Sequence, residues 1–269
     1  MIDLHSHILP GCDDGAVDLA AALAMARVAV SDGTRILACT PHILPGLYRN
    51  DTVGIEHRVK VLRQALSDEA IDLRLVVGAD VHIAPDLLQK LTDKVVPTLN
   101  GTRYFLLEPP HHVVPPNFNA FVERLIDAGY IPVVTHPERL TWVAKHYDLI
   151  EAVGRAGALM QITAGSLTGQ FGTQAKALAD RMLEEGRIDL IASDAHNVSG
   201  RSPVLSAAYS IVEEKVGAET ARNLFVETPA RILRNADIRA VGMDVAQSVK
   251  REAETKSRTS RFWRMLQGR

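Results

Sequence analysis

The chain has 269 residues, 46% of them hydrophobic and 23% charged, enough for one large α/β domain or two small ones. A formal charge of −2 excludes a global electrostatic pull toward nucleic acid or anionic lipid. The two cysteines, Cys12 and Cys39, form no CxxC pair, which argues against a disulfide framework and suits a reducing, cytoplasmic setting.

No basic start leads into an apolar stretch of signal-peptide type, and no apolar run approaches the roughly 20 residues of a membrane span. The first predicted strand, 2–7, ends in His5-Ser6-His7. Alternate residues of a strand share a face, so both imidazoles point the same way. An acidic turn, Asp13-Asp14-Gly15, follows. A helix is expected over 18–31, with Gly33 placed to cap its C-terminus. Strand 35–40 leads to Thr40-Pro41-His42, and helix 55–67 follows. Strand 73–78 leads to Asp80, and strand 104–108 ends on Glu108. Helix 117–128 stops at Gly129, strand 131–135 runs into His136-Pro137-Glu138-Arg139, and a helix is expected over 140–153. Strand 159–163, helix 174–185 with Gly186 behind it, and strand 189–193 before Asp194 and His196 complete the series.

Successive strands start roughly 25–40 residues apart, the spacing of βα units. Seven such units fit either a parallel barrel or a doubly wound sheet. The polar residues decide. Six of the seven strands are followed by His, Asp or Glu. Only a barrel gathers the C-terminal ends of all its strands on one rim, whereas an open sheet collects ligands at its switch point. The expected fold is therefore a distorted (β/α)7 barrel, one domain over 1–244. Residues 245–269 carry seven Lys/Arg against two Glu, with Phe262, Trp263, Met265 and Leu266 among them. That composition fits either a basic amphipathic helix docking on a membrane or partner, or a solvated tail.

The candidate metal ligands are His5, His7, Asp14, His42, Asp80, Glu108, His136, Asp194 and His196. Nine donors are too many for one four-coordinate ion and suit two or three ions sharing a carboxylate. Mixed imidazole and carboxylate donors favour Mn²⁺, Fe or Zn²⁺ over the all-oxygen sites of Mg²⁺ or Ca²⁺. The remaining histidines, His57, His82, His111, His112 and His146, are read as ordinary core or surface residues. Arg139 and Arg201 follow ligand strands directly, and their guanidinium groups suit bidentate binding of phosphate oxygens. A surface role, or a salt bridge from Arg139 to Glu138, is the plainer alternative.

These motifs, together with Ser193-Asp194-Ala195-His196-Asn197 and the late segment Thr228-Pro229-Ala230-Arg231-Ile232-Leu233-Arg234-Asn235, resemble the polymerase and histidinol phosphatase (PHP) superfamily. Within it, the chain is most similar to the CpsB/YwqE type of bacterial tyrosine-protein phosphatase. The resemblance implies a phosphoesterase barrel with up to three divalent ions, often manganese. Carried over by position, His5, His7, Glu108 and Asp194 hold the first ion. Glu108, Asp80 and His136 hold the second, and Asp14, His42 and His196 the third. It also implies a phosphotyrosine protein as substrate, namely a bacterial tyrosine autokinase governing capsular or exopolysaccharide synthesis. The expected chemistry is hydrolysis of a phosphate monoester by activated water, with no phosphoenzyme. A thiol-based route requires a Cys-x5-Arg loop, and the residues at the Arg positions are Asp18 and Pro45. Two rival readings remain: a small-molecule phosphatase acting on histidinol phosphate or a nucleotide, and a metal-binding regulatory module without catalysis. Substrate choice would rest on rim loops 45–50 and 109–117.

Overall fold

The computed structural model describes residues 1–238, and the expectation for the tail at 245–269 lies outside them. Seven parallel staves form the centre. The first is β1 (Ile2–Asp3). The second is β2 (Ile36–Cys39), resumed after Thr40-Pro41 as β3 (His42–Leu44), against which β4 (Tyr48–Arg49) folds back antiparallel. The third is β5 (Arg74–Val77), resumed after Gly78-Ala79 as β6 (Asp80–His82). Then come β7 (Tyr104–Glu108), β8 (Ile131–Thr135), β9 (Leu159–Thr163) and β10 (Leu190–Ala192).

The pairing runs β1-β2-β5 on one side and β10-β9-β8-β7-β6-β3 on the other, all parallel. The ring closes where Ser6 bridges Ala195. There His7 N donates to Ala195 O at 2.8 Å and Asp194 N to His5 O at 2.9 Å. Each break in a stave has a cause in the sequence. Pro41 has no N–H to give the ladder, yet its carbonyl still accepts from Asp80 N at 3.2 Å. At Gly78 a Cβ would fall 2.9 Å from Leu99 Cδ2 and 3.0 Å from Thr40 Cγ2, so the third stave bends against its neighbour only without a side chain.

Helices pack around the staves. Asp18 caps α1 (Leu19–Ser31) by accepting from Ala21 N, and Asp51 caps α2 (Thr52–Asp68) by accepting from Gly54 N. The short α3 (Leu87–Thr92), then α4 (Phe118–Asp127), α5 (Tyr147–Ala156), α6 (Ala164–Leu167), α7 (Gly172–Glu184) and α8 (Ser206–Val216) follow. Leu75, Leu107, Val134, Ile162 and Ile191 belong to one continuous apolar core. Each such side chain stabilises the fold by about 1.5–3 kcal/mol. No described helix is long and apolar enough to cross a membrane.

One expected helix starts later than its pattern suggests. Leu140, Val143, Tyr147, Ile150 and Val153 keep a helical spacing and all are buried. Residues 141–145 nevertheless form turns, and α5 begins at Tyr147. Thr141 N donates to His111 O at 3.0 Å, so this segment spends its backbone on a neighbouring loop.

Candidate metal centre

The C-terminal rim of the barrel gathers all nine expected ligands. His5 and His7 meet as the shared strand face requires, their Nε2 atoms 3.2 Å apart. Their other nitrogens are committed: His5 Nδ1 donates to Gln161 Oε1 at 2.8 Å and His7 Nδ1 to Asp13 Oδ2 at 2.7 Å. Those partners accept only, so each ring carries a proton on Nδ1, and in the neutral form turns an Nε2 lone pair to the other. Two facing lone pairs at that distance repel unless a cation or a proton joins them. Around them stand Asp194 Oδ1, at 3.3 Å from His7 Nε2 and 3.4 Å from His5 Nε2, and Asp80 Oδ2, at 3.4 Å from both His5 Nε2 and His42 Nδ1. Asp80 Oδ2 is buried and meets no hydrogen-bond donor of good geometry among the described residues. A buried carboxylate oxygen left so is costly unless it binds a cation. These donors fit divalent metal.

His7, Asp14, His42 and His196 form one donor group of ion-holding size, with His196 Nε2 at 3.3 Å and His42 Nε2 at 3.6 Å from Asp14 Oδ1. His5, His7 and Asp80 form a second. Glu108 stands between imidazoles. Its Oε2 meets His82 Nε2 and lies 3.2 Å from His42 Nδ1, while its Oε1 lies 3.6 Å from His136 Nε2 and 4.0 Å from His111 Nε2.

Charge in the cluster is skewed toward anions. Burial opposes a charged His5, but the Asp194 and Asp80 carboxylates outweigh it and push its pKa up to about 10. His42 follows the same logic: burial pulls it down, while Glu108 and Asp80 prevail and take it up to about 9. For Asp194, burial favours the acid, yet His5, His7 and Arg201 hold it well below the ordinary carboxylate range. His136 goes the other way, lowered first by burial and then by Arg139. Two of these residues sit on a left-handed backbone, His136 at φ 36° and Asp194 at φ 52°. Such strain costs about 1–3 kcal/mol and collects at functional sites.

Both arginines reach the centre. Arg139 and Arg201 each donate to Asp194 Oδ2, Arg201 at 2.5 Å. Arg139 also lies over the Phe171 ring, 4.2 Å from its centroid. Arg201 is set by a loop in which Asn197 Oδ1 accepts from Gly200 N at 2.7 Å and Arg201 N at 3.0 Å. Glu138 is not a partner of Arg139: its buried carboxylate accepts from Thr163 N at 2.9 Å and Ser166 Oγ at 2.7 Å. Burial raises its pKa to about 7.

Residues 1–234 match the family described as capsular polysaccharide synthesis, CpsB/CapC. The chain belongs to the CpsB/CapC family. It is 38% identical to the tyrosine-protein phosphatase YwqE of Bacillus subtilis over 88% of this chain and 93% of that one. With the tyrosine-protein phosphatase CpsB of Streptococcus pneumoniae it shares 30% identity over 87% of this chain and 98% of the relative. A crystal structure from a study of YwqE and CpsB, described as metal-dependent tyrosine phosphatases, superposes with a TM-score of 0.86 at 38% identity, over 88% of this chain and 96% of its own. The barrel described above is thus the fold of the family.

Several residues that shape this CpsB/CapC centre lie outside the expected ligand set. Asp13 accepts from His7 Nδ1, His42 N (2.9 Å) and Gly15 N (3.0 Å), tying three segments together. Gln161 fixes the tautomer of His5 from the middle of a strand that ends in no ligand. Asp3 accepts from His5 N at 3.2 Å and Ser193 Oγ at 2.5 Å. His82 and His111, read from sequence as ordinary, both approach Glu108. For His82 a signal existed: it shares a strand face with Asp80 two residues earlier.

Proposed function

We propose that the chain is a metal-dependent protein-tyrosine phosphatase that hydrolyses phosphotyrosine on a protein partner, a bacterial tyrosine autokinase of capsular or exopolysaccharide synthesis, in the cytoplasm. The observation that carries this reading is the convergence of imidazoles and carboxylates with two arginines on a single rim. His5, His7, Asp14, His42, Asp80, Glu108, His136, Asp194 and His196 would hold two or three divalent ions, Mn²⁺ first among them, with Fe or Zn²⁺ as alternatives. When bound, such ions supply Lewis-acid charge that activates water and polarises the phosphoryl group.

The chain's own residues supply the rest. Arg139 and Arg201, now on Asp194 Oδ2, present guanidinium N–H groups at the rim, where a phosphoryl oxygen competes for them. Both would stabilise the charge that builds on the equatorial oxygens. Phenolate is a good leaving group, with a parent pKa of about 10, so no dedicated acid is required. Asp13 and Gln161 keep His7 and His5 in the tautomer that leaves Nε2 free for a cation. A role for residues 245–269 in docking to kinase or membrane belongs to the same proposal.

The test is turnover by metal-stripped protein reloaded with Mn²⁺, on a phosphotyrosine peptide beside a phosphoserine peptide and histidinol phosphate. Metal-dependent turnover that favours phosphotyrosine is expected. Preference for histidinol phosphate replaces the protein substrate with a small molecule, and no turnover with metal bound favours a regulatory module.

A further inference from the structure

Rim residues 109–117 follow β7 and are fastened to the turn beyond β8. The Trp142 indole N–H donates to Pro110 O at 2.9 Å, and Thr141 donates to His111 O twice, from its backbone at 3.0 Å and its hydroxyl at 3.1 Å. With its backbone held from outside, His111 turns its imidazole inward. The ring lies 5.4 Å from that of His136, inclined by 32°. Its Nε2 is 4.0 Å from Glu108 Oε1, the oxygen that His136 Nε2 approaches to 3.6 Å. The three donor atoms all lie within 4.8 Å of one another.

Donors on one divalent ion, with bonds of about 2.0–2.2 Å, stand roughly 3 Å apart when adjacent and roughly 4 Å apart when opposite. The contacts to Glu108 fall within that range. Glu108 Oε1 is also free of the contacts to His42 and His82, which Glu108 makes with its other oxygen. Asp80, which the family resemblance groups with Glu108 and His136, stands beside His5 and His7 instead. We propose that His111 is a metal ligand, completing with Glu108 Oε1 and His136 Nε2 a site for one divalent ion. The proposal rests on the metal-centre reading given above. Its consequence is that a rim loop, held in place by Trp142 and Thr141, contributes a donor to the centre it flanks.

The experiment compares wild type with His111→Ala and with His112→Ala, the exposed neighbour on the same loop. Each protein is stripped, dialysed against Mn²⁺ and analysed for bound metal by mass spectrometry, and its affinities are measured by calorimetry. His111→Ala is expected to lose one equivalent, or to bind one ion at least tenfold more weakly, as the loss of even a supporting partner costs about 10–100-fold. His112→Ala should match wild type. Reloading with Co²⁺ adds a readout independent of turnover, because loss of an imidazole donor alters the visible absorption of the ion. If His111→Ala folds poorly, His111→Gln, which keeps a polar side chain of similar length, takes its place with the same expected loss. Wild-type stoichiometry, affinity and Co²⁺ spectrum in the variant overturn the proposal while leaving the metal centre intact. A wild-type protein that takes up no metal overturns both.

Discussion

Two halves of the barrel are built differently. The staves β7, β8 and β9 each run unbroken for five residues. The first three staves are interrupted close to the rim, after Asp3, at Thr40-Pro41 and at Gly78-Ala79. The interrupted half delivers His5, His7, His42 and Asp80, while the regular half delivers Glu108 and His136. Interruption frees backbone groups that side chains then take up: Thr40 Oγ1 accepts from Ser6 N at 2.9 Å, and Ser6 Oγ donates to Ala38 O at 2.7 Å. The interrupted half therefore adds side-chain-to-backbone bonds among polar residues to its ladder and core, where the regular half relies on an unbroken strand ladder and apolar packing. Substitutions in the first should cost metal and activity. Those in the second should cost stability.

The largest effect is expected at Gly15. A Cβ there would lie 2.0 Å from His7 O and 2.5 Å from His7 Cβ, and a backbone oxygen has nowhere to move. The same oxygen accepts from Ala16 N at 2.9 Å, which locks the acidic turn onto the strand end. Gly15→Ala should displace both His7 and Asp14, leaving turnover at the detection limit and at least one equivalent of metal missing. Metal analysis beside a melting curve checks this, and a variant with full metal content would show that the interrupted half tolerates strain.

Next comes Asp13→Asn. Asparagine presents one acceptor oxygen where the carboxylate serves His7, His42 and Gly15. Metal affinity should fall about 10–100-fold, the usual cost of a lost supporting partner. The melting temperature of the metal-free protein should change little, and that dissociation of the two readouts distinguishes orientation from structural support.

The fold was legible because its signals are local: turn glycines such as Gly129 at φ 90° and Gly186 at φ 65°, apolar runs, and an ionisable residue after six of the seven strands. The gathering of the nine candidate donors at one rim followed from strand period and barrel geometry. The roles of Gln161 and His111 did not, because their partners lie in other segments, and the bond from Asp13 to His42 N likewise needs the fold. His111 comes inward only because Thr141 and Trp142 hold its loop, a contact between stretches some 30 residues apart. The false helix start at Leu140 has the same origin, a local period overruled by a tertiary bond.

A smaller effect is expected from pH, and again in the interrupted half. His5 and His42 have folded-state pKa values raised to about 10 and about 9 in the metal-free protein. The unfolded imidazole titrates near 6.5. A raised pKa contributes stability that is complete below the unfolded value and is lost as pH rises through the folded one. The metal-free protein should therefore lose melting temperature between about pH 6.5 and 10. Ligation requires neutral imidazole, so stabilisation by added Mn²⁺ should grow over the same interval. Calorimetric scans with and without metal test both slopes, and parallel slopes would mean that these histidines are not where the ion binds.

On the centre itself, the smallest effect should come from the regular half. Leu107 is fully buried in β7, one residue before Glu108, and packs in the continuous core beside Val134 on the paired strand. Leu107→Ala removes about 2–5 kcal/mol of stability through lost burial and the cavity left behind. The ladder that positions Glu108 is made by backbone atoms that the substitution leaves in place. Metal stoichiometry and kcat below the lowered melting temperature should thus stay within about twofold of wild type, less than the supporting-partner loss expected at Asp13. Loss of metal in Leu107→Ala at a temperature where the protein remains folded would mean that core packing tunes the donors directly. The two halves would then differ in backbone regularity but not in the work they do.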